Sequence, residues 1–554
     1  QAHAYGLLSI FSGETVQSAE VSKGYISPAY GSRLSALTQI RTREGDRQHH
    51  RQSLTVGTLS LAGTADGPLV RGKGSYLVSA RYFFPEAVLA AVGNSVRFGF
   101  HDITGKLSYD VHRSHTLSLG VYTGDDRMRN ADEGAENSFG WGNTTASLRL
   151  RSRWREGLGS TAVVYYSFLQ NRQQAEYRED GSVNEGKTTF RTHEFGARMT
   201  FDHRLSEHYA LEYGASFSAQ RFLPMHTRAV VEGQERETEY PASQLLSGAL
   251  FVNNRLQWGS WRADLGVRGA LYDNADDTAF ALEPRAQLSY DFGRDRAVWA
   301  SATLNSQALV QFNRYYYSMP IDFWTPFQDG RLQRAWQVAL GGRMKLHERL
   351  TLSLETYYKR MRNLPMIYDS DDFLLGRDGF VYGTGWAFGV EAMLQWQTDR
   401  LSLTASYTYT NSRRRSDGVT YPFEYDIPHD FNTFMSYDVV KQPDRGRRHT
   451  FSLNVSWRTG LPYRLTNTAY PDSDGNPIFG ITPYPTMRMR NYFRTDISYN
   501  MERRKRNGVR NWQFSILNAT WHKNPVSIYP HRGTYKATVL IPIMPSISYT
   551  RTFK

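Results

Sequence analysis

The chain has 554 residues, 66 Lys and Arg against 53 Asp and Glu, a net charge of +13 and a mean hydropathy of −0.56. Its longest apolar run, residues 87–92, is far shorter than the roughly 20 apolar residues of a membrane helix, so a helical membrane protein is excluded. An aromatic content of 14 % argues against disorder, and the absence of cysteine removes disulfides, thiol nucleophiles and thiolate metal sites.

Tyr (35) outnumbers Phe (29), and charged, Ser, Thr and Gly residues are plentiful. That balance suits an outer-membrane β-barrel, whose strands alternate a lipid-facing apolar residue with a lumen-facing polar one and so keep mean hydropathy low. Aromatic belts at the two membrane interfaces account for the Tyr and Trp. Gln1 opens without a signal peptide, as expected of a mature or truncated exported chain.

In chain order, residues 1–50 stand apart. Gly6, Gly13, Gly24, Pro28 and Gly31 punctuate short mixed segments, with strands predicted at 16–23 and 35–43, and a charged stretch at 41–51 joins this piece to the remainder of the chain. From Gln52 onward the chain reads as strand, turn, strand. Residues 350–359 put Leu350, Leu352, Leu354, Thr356 and Tyr358 on one face, with Thr351, Ser353, Glu355, Tyr357 and Lys359 on the other. A period of two fixes strands, and a polar face so rich in Ser, Thr, Glu and Lys is a wet lumen rather than a packed core. About 22 strands are predicted, the first near Gln52, the next near Ser75, the last two near Tyr535 and Pro545. That even number matches the 22-stranded class of barrels with a plugged lumen. Connections at 206–208 and 293–296 are short, as on a periplasmic rim; those at 125–138, 179–187, 223–243, 312–334 and 468–486 are long and polar, as on an extracellular one.

The first 50 residues resemble the end of the plug of TonB-dependent receptors, of the Bacteroidetes type that carries a carboxypeptidase-like N-terminal domain. The similarity runs through Gly6-Leu-Leu-Ser-Ile-Phe11, Val16-Gln-Ser-Ala-Glu-Val-Ser-Lys23-Gly24, Pro28-Ala-Tyr30-Gly31-Ser-Arg33-Leu-Ser35 and Ile40-Arg-Thr-Arg-Glu-Gly45. Signposts of the same family continue in order: Phe100-His-Asp102, Tyr122-Thr-Gly-Asp-Asp126, Trp141-Gly-Asn-Thr144, Glu283-Pro-Arg285, Ile321-Asp-Phe-Trp324, Glu355-Thr-Tyr-Tyr-Lys359, Gly385-Trp-Ala-Phe-Gly389-Val-Glu391, Thr459-Gly-Leu-Pro-Tyr463 and Tyr492-Phe-Arg494-Thr-Asp496. The resemblance implies an all-β, transmembrane antiparallel barrel over 51–554, with the C-terminal part of a plug domain at 1–50. A family plug is larger than 50 residues and no TonB-box-like segment precedes Gln1. The expectation is a chain that starts inside the plug, a plugless relative being the other reading. Ser32 stands where the family has a second Gly, and Lys554 comes after the aromatic Phe553 that such barrels end on.

The residues themselves bear on several chemistries. The pairs His49-His50 and His429-Asp430 lack the three or four convergent ligands of a metal site, and Gly-x-Ser-x-Gly is missing, so neither a metal centre nor a hydrolase is expected. The basic runs 413–415, 445–448 and 503–506 are scattered near strand ends without a nucleic-acid-binding fold and suit contacts with outer-membrane lipid or lipopolysaccharide. Glu355 and Glu391 occupy the polar faces of neighbouring predicted strands. Related transporters pair barrel glutamates with plug arginines, which makes Arg33 the expected partner and a plug–barrel contact the expected role. The aromatic cluster Tyr315, Tyr316, Tyr317, Phe323, Trp324 and Phe327 falls in a long predicted loop and is the expected substrate contact. The resemblance implies an outer-membrane transporter without cofactor or enzymatic step. It would take up a scarce nutrient (siderophore, peptide or oligosaccharide) with energy from the TonB complex and with a surface lipoprotein as a further partner. A structural barrel recruited into a larger outer-membrane assembly is the alternative.

Overall fold

A computed structural model describes residues 3, 8–91, 97–132, 135–179, 182–231, 233–314, 321–366, 379–463, 466–471, 477–481, 484–485, 487–531, 534–539 and 543–553. Twenty-four strand segments join in one closed antiparallel sheet. Two of them, Gln234–Glu239 and Val419–Pro422, are return arms beyond the barrel wall that lead into the next stave, which leaves 22 staves. Closure is made by the short stave Arg51–Gly57. It pairs with Ser60–Val70 on one side and with the C-terminal stave Met544–Phe553 on the other, from Gln52 opposite Phe553 to Gly57 opposite Ser548. No edge of the wall is left unpaired, as hydrocarbon requires.

The predicted total stands, but two staves behind it change. Ser60–Val70 is a full stave that the pattern does not show, because Gly63, Gly67 and Pro68 break its alternation. The strand expected near Tyr535 instead pairs with Pro525–His531 in a separate two-stranded hairpin, Thr534–Val539 being its second arm.

The wall is inside out relative to a soluble sheet. In Thr278–Gly293, Phe280 and Leu282 are 59 % and 56 % exposed on the outer face, while Glu283 and Arg285 are 0 % and 3 % exposed on the inner face. Outward apolar bands of this extent are stable only against lipid. Trp154, Trp258, Trp261, Phe292 and Trp396 ring the outer face next to the short turns, with Trp261 edge-on to Tyr290 at 4.7 Å. They mark one membrane interface.

The short turns lie on one rim. At one of them Gly508 has a φ of +121°, and a Cβ there would lie 1.9 Å from the Thr552 carbonyl oxygen of the C-terminal stave. On the opposite rim the staves run on. Leu158–Glu179, Ser182–Arg204 and Tyr209–Val231 have 22, 23 and 23 residues, about twice the length needed to cross. Most of the stretches read as loops at 125–138, 179–187 and 223–243 are therefore ladder. Above the bilayer both faces meet water, so pairing continues without an apolar face to signal it.

Inside the barrel, Val16–Ser22 pairs with Leu37–Thr42 as a two-stranded sheet, in register from Ser18 opposite Arg41 to Ser22 opposite Leu37. The loop 23–36 connects the two strands, and residues 43–50 lead to the first stave at the short-turn rim. Leu340, 60 % exposed midway along Gln333–His347, faces lipid. Leu340→Arg is expected to lower barrel stability by about 2–4 kcal/mol if it sits near the bilayer midplane, read from urea unfolding in lipid vesicles. An unchanged unfolding midpoint would contradict the lipid-facing assignment.

Candidate functional site

The loop between the two inner strands is held by its own main chain. Arg285 Nη1 donates to the carbonyl oxygens of Ile26 (3.0 Å), Ser27 (3.0 Å) and Tyr30 (2.7 Å). Its Nη2 donates to Glu283 at 2.7 Å, and the other Glu283 oxygen accepts the Ser306 N–H at 2.9 Å. Arg268 donates to the Pro28 carbonyl at 3.3 Å, Lys359 to that of Leu34 at 2.9 Å, Gln337 to that of Lys23 at 3.1 Å and Lys106 to that of Thr42 at 2.8 Å. A loop lacking strand partners leaves its carbonyls unpaired, and unpaired buried carbonyls are costly; cations and one glutamine amide on the wall satisfy them. Gly31 permits the approach, since a Cβ there would lie 2.4 Å from Arg268 Nε. Side chains complete the seating: Tyr25 donates to Asn253 at 2.8 Å, Ser27 to Glu212 at 3.0 Å, and Ser32 meets Tyr272 at 2.9 Å.

Both ends of the inner segment carry ion pairs. Near the short-turn rim Arg43 pairs with Asp66 at 2.7 Å and Arg47 with Asp110. The Asp46 carboxylate accepts the N–H groups of Gln48 (2.7 Å) and His49 (3.0 Å), which hold its pKa below the usual range. Near the long-hairpin rim His3 lies between Asp126 (2.6 Å) and Asp102 (3.2 Å) and stacks on Phe100 at 3.9 Å. Burial pulls its pKa down, but the hydrogen bonds and attraction of the two carboxylates together outweigh this and raise it above 6.5.

Glu355 and Glu391 are direct cross-strand neighbours on Leu350–Met366 and Val381–Gln397. The cation that meets them is Lys23, paired with Glu391, and not Arg33. Glu355 accepts the Trp299 indole N–H at 3.0 Å. Lys23 comes directly after the strand Val16–Ser22 and so lies against the wall, whereas Arg33 sits ten residues further on in the loop. There its guanidinium lies 5.8 Å from the Trp324 ring centroid and donates to the Ser32 carbonyl at 2.7 Å.

The aromatic cluster divides. Phe327 is 2 % exposed and belongs to an apolar core with Phe222, Leu245, Tyr272 and Leu332, against which Trp324 packs while partly open. Phe323 lies on the strand Ile321–Pro326, whereas Tyr315, Tyr316 and Tyr317 lie outside the described residues. Beside Trp324 and Arg33 the structure brings in residues that the sequence pattern does not single out. Arg198 lies over the Tyr30 ring at 4.3 Å, and Glu194 accepts from Tyr165 (2.6 Å) and Gln220 (2.9 Å). Their signal is parity: Glu194 and Arg198 share the inward face of Ser182–Arg204, opposite the lipid-facing Phe195.

The family described as TonB dependent receptor-like, beta-barrel, matches residues 82–520. No curated protein matches the chain. Among solved structures, the ferric preacinetobactin receptor BauA of Acinetobacter baumannii superposes with a TM-score of 0.70 at 12 % identity, covering 99 % of this chain and 88 % of its own. The ferric citrate transporter FecA gives 0.68 at 14 % identity, covering 99 % and 85 %. A complex of FpvAI with pyocin S2 gives 0.71 at 13 % identity, covering 100 % and 79 %.

Two outcomes test the seating. Arg285→Met strands the buried Glu283 without its cation and frees three carbonyls. It is expected to cost about 3–5 kcal/mol of seating, seen as lost hydrogen-exchange protection at residues 24–34 while the barrel stays folded. The raised pKa of His3 means that its contribution is complete below about 6.5 and is lost as pH rises through the folded value. The protection factor of the Leu8 amide, bonded to the His3 carbonyl at 3.2 Å, is expected to fall as pH rises above about 6.5, and His3→Ala is expected to abolish that dependence.

Proposed function

We infer the role of this chain from a premise that the family match supplies: it belongs to the TonB-dependent receptor-like β-barrel family. It is an outer-membrane barrel of the kind that takes up nutrients with energy delivered through TonB. We propose that residues 1–50 act as part of a plug, and that the cargo is a ferric siderophore or a similar chelate. The observation that carries this reading is the seated loop 24–34, which sets Tyr30 and Arg33 against Arg198 and Trp324 in the lumen. Aromatic faces with guanidinium groups suit ringed, anionic metal chelates better than uncharged sugars. The printed names of the ferric preacinetobactin receptor and the ferric citrate transporter support the same class.

Lys23 with Glu391 is the proposed releasable plug–barrel contact, because its two side chains are 51 % and 22 % exposed and water weakens the pair. The motif order through the first 50 residues supports the Bacteroidetes-type assignment, and with it a surface lipoprotein as a partner. Of the basic runs, 413–415 lies toward the long-hairpin rim, where lipopolysaccharide would meet it. Runs 445–448 and 503–506 lie at the short-turn rim, where phospholipid headgroups are the proposed contact.

The test is uptake of iron-55 chelates by cells that carry the full gene, with and without TonB. Accumulation is expected to be lost on TonB disruption, and Arg33→Ala with Trp324→Ala is expected to weaken chelate binding on the order of tenfold. Accumulation unchanged by loss of TonB, or loss of the gene without effect on any chelate, would favour the scaffold alternative.

A further inference from the structure

Between the hairpin Val16–Ser22/Leu37–Thr42 and the barrel wall, toward the short-turn rim, lies a cavity of about 580 Å³. The inner segment contributes Arg41, Arg43 and Arg47 to its lining, and the wall contributes Lys106, Arg149 and Arg151. Glu44 is the one carboxylate among the described lining residues.

Half of these cations are committed. Arg43 pairs with Asp66, Arg47 pairs with Asp110 and Glu44, and Lys106 donates to the Thr42 carbonyl. Among the described residues no carboxylate pairs with Arg41, Arg149 or Arg151. Their convergence is written into the alternation. Leu148 and Leu150 point to lipid at 47 % and 38 % exposure, so Arg149 and Arg151 both point inward from the same stave. Ser18 opposite Arg41 in the inner sheet brings a third guanidinium from the facing element. Arg149 is within electrostatic reach of Arg41, Arg151 and Arg198, so like charges converge there, with Glu44 the one carboxylate among the described lining residues.

The cavity is also linked to the proposed cargo site. Arg198, whose Nε is buried without a hydrogen-bond partner among the described residues, lies over Tyr30 and within reach of Arg149. Tyr165 is within reach of both Arg198 and Arg33. Cations thus succeed one another from the loop at Arg33 down one wall to Arg151.

We propose that this cavity is an anion-binding site, built jointly by the inner segment and the barrel wall, that holds a carboxylate-bearing cargo on the short-turn side of the loop. The proposal deepens the uptake reading and rests on it. Planar guanidinium forks match carboxylates, and three from two elements favour a multiply charged ligand over a single anion. Because Arg41 rides on the hairpin while Arg149 and Arg151 ride on the wall, an anion between them ties the two together. By linkage, seating of the hairpin then strengthens anion binding by the same factor as the anion strengthens seating.

Citrate is the probe, titrated calorimetrically into the full chain in nanodiscs at low salt, with uncharged glycerol as the comparison. Citrate is expected to bind and glycerol not. Arg149→Gln with Arg151→Gln is expected to weaken citrate on the order of tenfold or more, since each charged hydrogen bond removed is worth roughly that factor. Ser118→Glu keeps every cation but puts a carboxylate into the lining, and is expected to weaken binding too. Citrate is further expected to slow hydrogen exchange in Val16–Ser22 and Leu37–Thr42 of the unmodified chain and not of the double variant, with heat-modifiable gel migration reporting that each barrel is folded. No citrate binding, or binding indifferent to both variants, overturns the proposal. TonB-dependent chelate uptake without citrate binding leaves the uptake reading standing and sinks only the cavity; citrate binding with TonB-independent uptake does the reverse.

Discussion

A backbone in hydrocarbon has no water to bond to, and each unpaired N–H or C=O there costs several kcal/mol. The closed sheet answers that constraint, and the pairing of Arg51–Gly57 with both Ser60–Val70 and Met544–Phe553 completes it. Closure dictates the lumen in turn. A wall that faces lipid outside must alternate, so polar and charged residues fill the inside; a lumen that wide and wet is closed only by more chain. Among its described residues that chain has one two-stranded hairpin and mostly irregular backbone besides, so its carbonyls inherit the same constraint. Arg285, Arg268, Lys359 and Lys106 on the wall meet it.

The contacts on the inner segment fall into two strengths. Arg285 and Glu283 are 1 % and 0 % exposed at the side chain, and a buried pair of that kind adds little net stability by itself. Its value is geometric: Glu283, itself fixed by the Ser306 N–H, aims the guanidinium at three carbonyls at once. Breaking it exposes a buried charge. Lys23 with Glu391 is open to water, is screened by salt and leaves no buried charge behind when it parts. A pull on the segment therefore meets weak resistance at Lys23, where the loop begins, and strong resistance where Arg285 holds Ile26, Ser27 and Tyr30.

Much of the barrel was legible because its signal is periodic. The faces of 350–359 are those of the stave Leu350–Met366, and the same parity made Glu355 and Glu391 neighbours. Ser60–Val70 was not legible, since Gly63, Gly67 and Pro68 carry no face. The long hairpins were not either, because strands that meet water on both sides need no apolar alternation. In the lumen the limits were of another kind. Glu283-Pro-Arg285 was visible as a motif, but its partners are main-chain carbonyls more than 250 residues away, and a carbonyl has no residue type to betray it. Arg33 stood out over Lys23 because it is an arginine in the loop motif. Loop direction decides which of the two meets the glutamates, and no period encodes it.

The distribution of charge, more than its sum, is what the fold does with this composition. A surplus of 13 positive charges spread over a surface would be screened within about 8–10 Å at ordinary ionic strength. Here Arg33, Arg198, Arg149 and Arg151 line a lumen walled by lipid, and low-dielectric walls focus the field of such groups along the passage instead of letting it spread into solvent. The same parity rule that turns Leu148 and Leu150 outward turns Arg149 and Arg151 inward, so membrane insertion and the inner potential come from one alternation. A change that shifted this stave by one residue would lose both together.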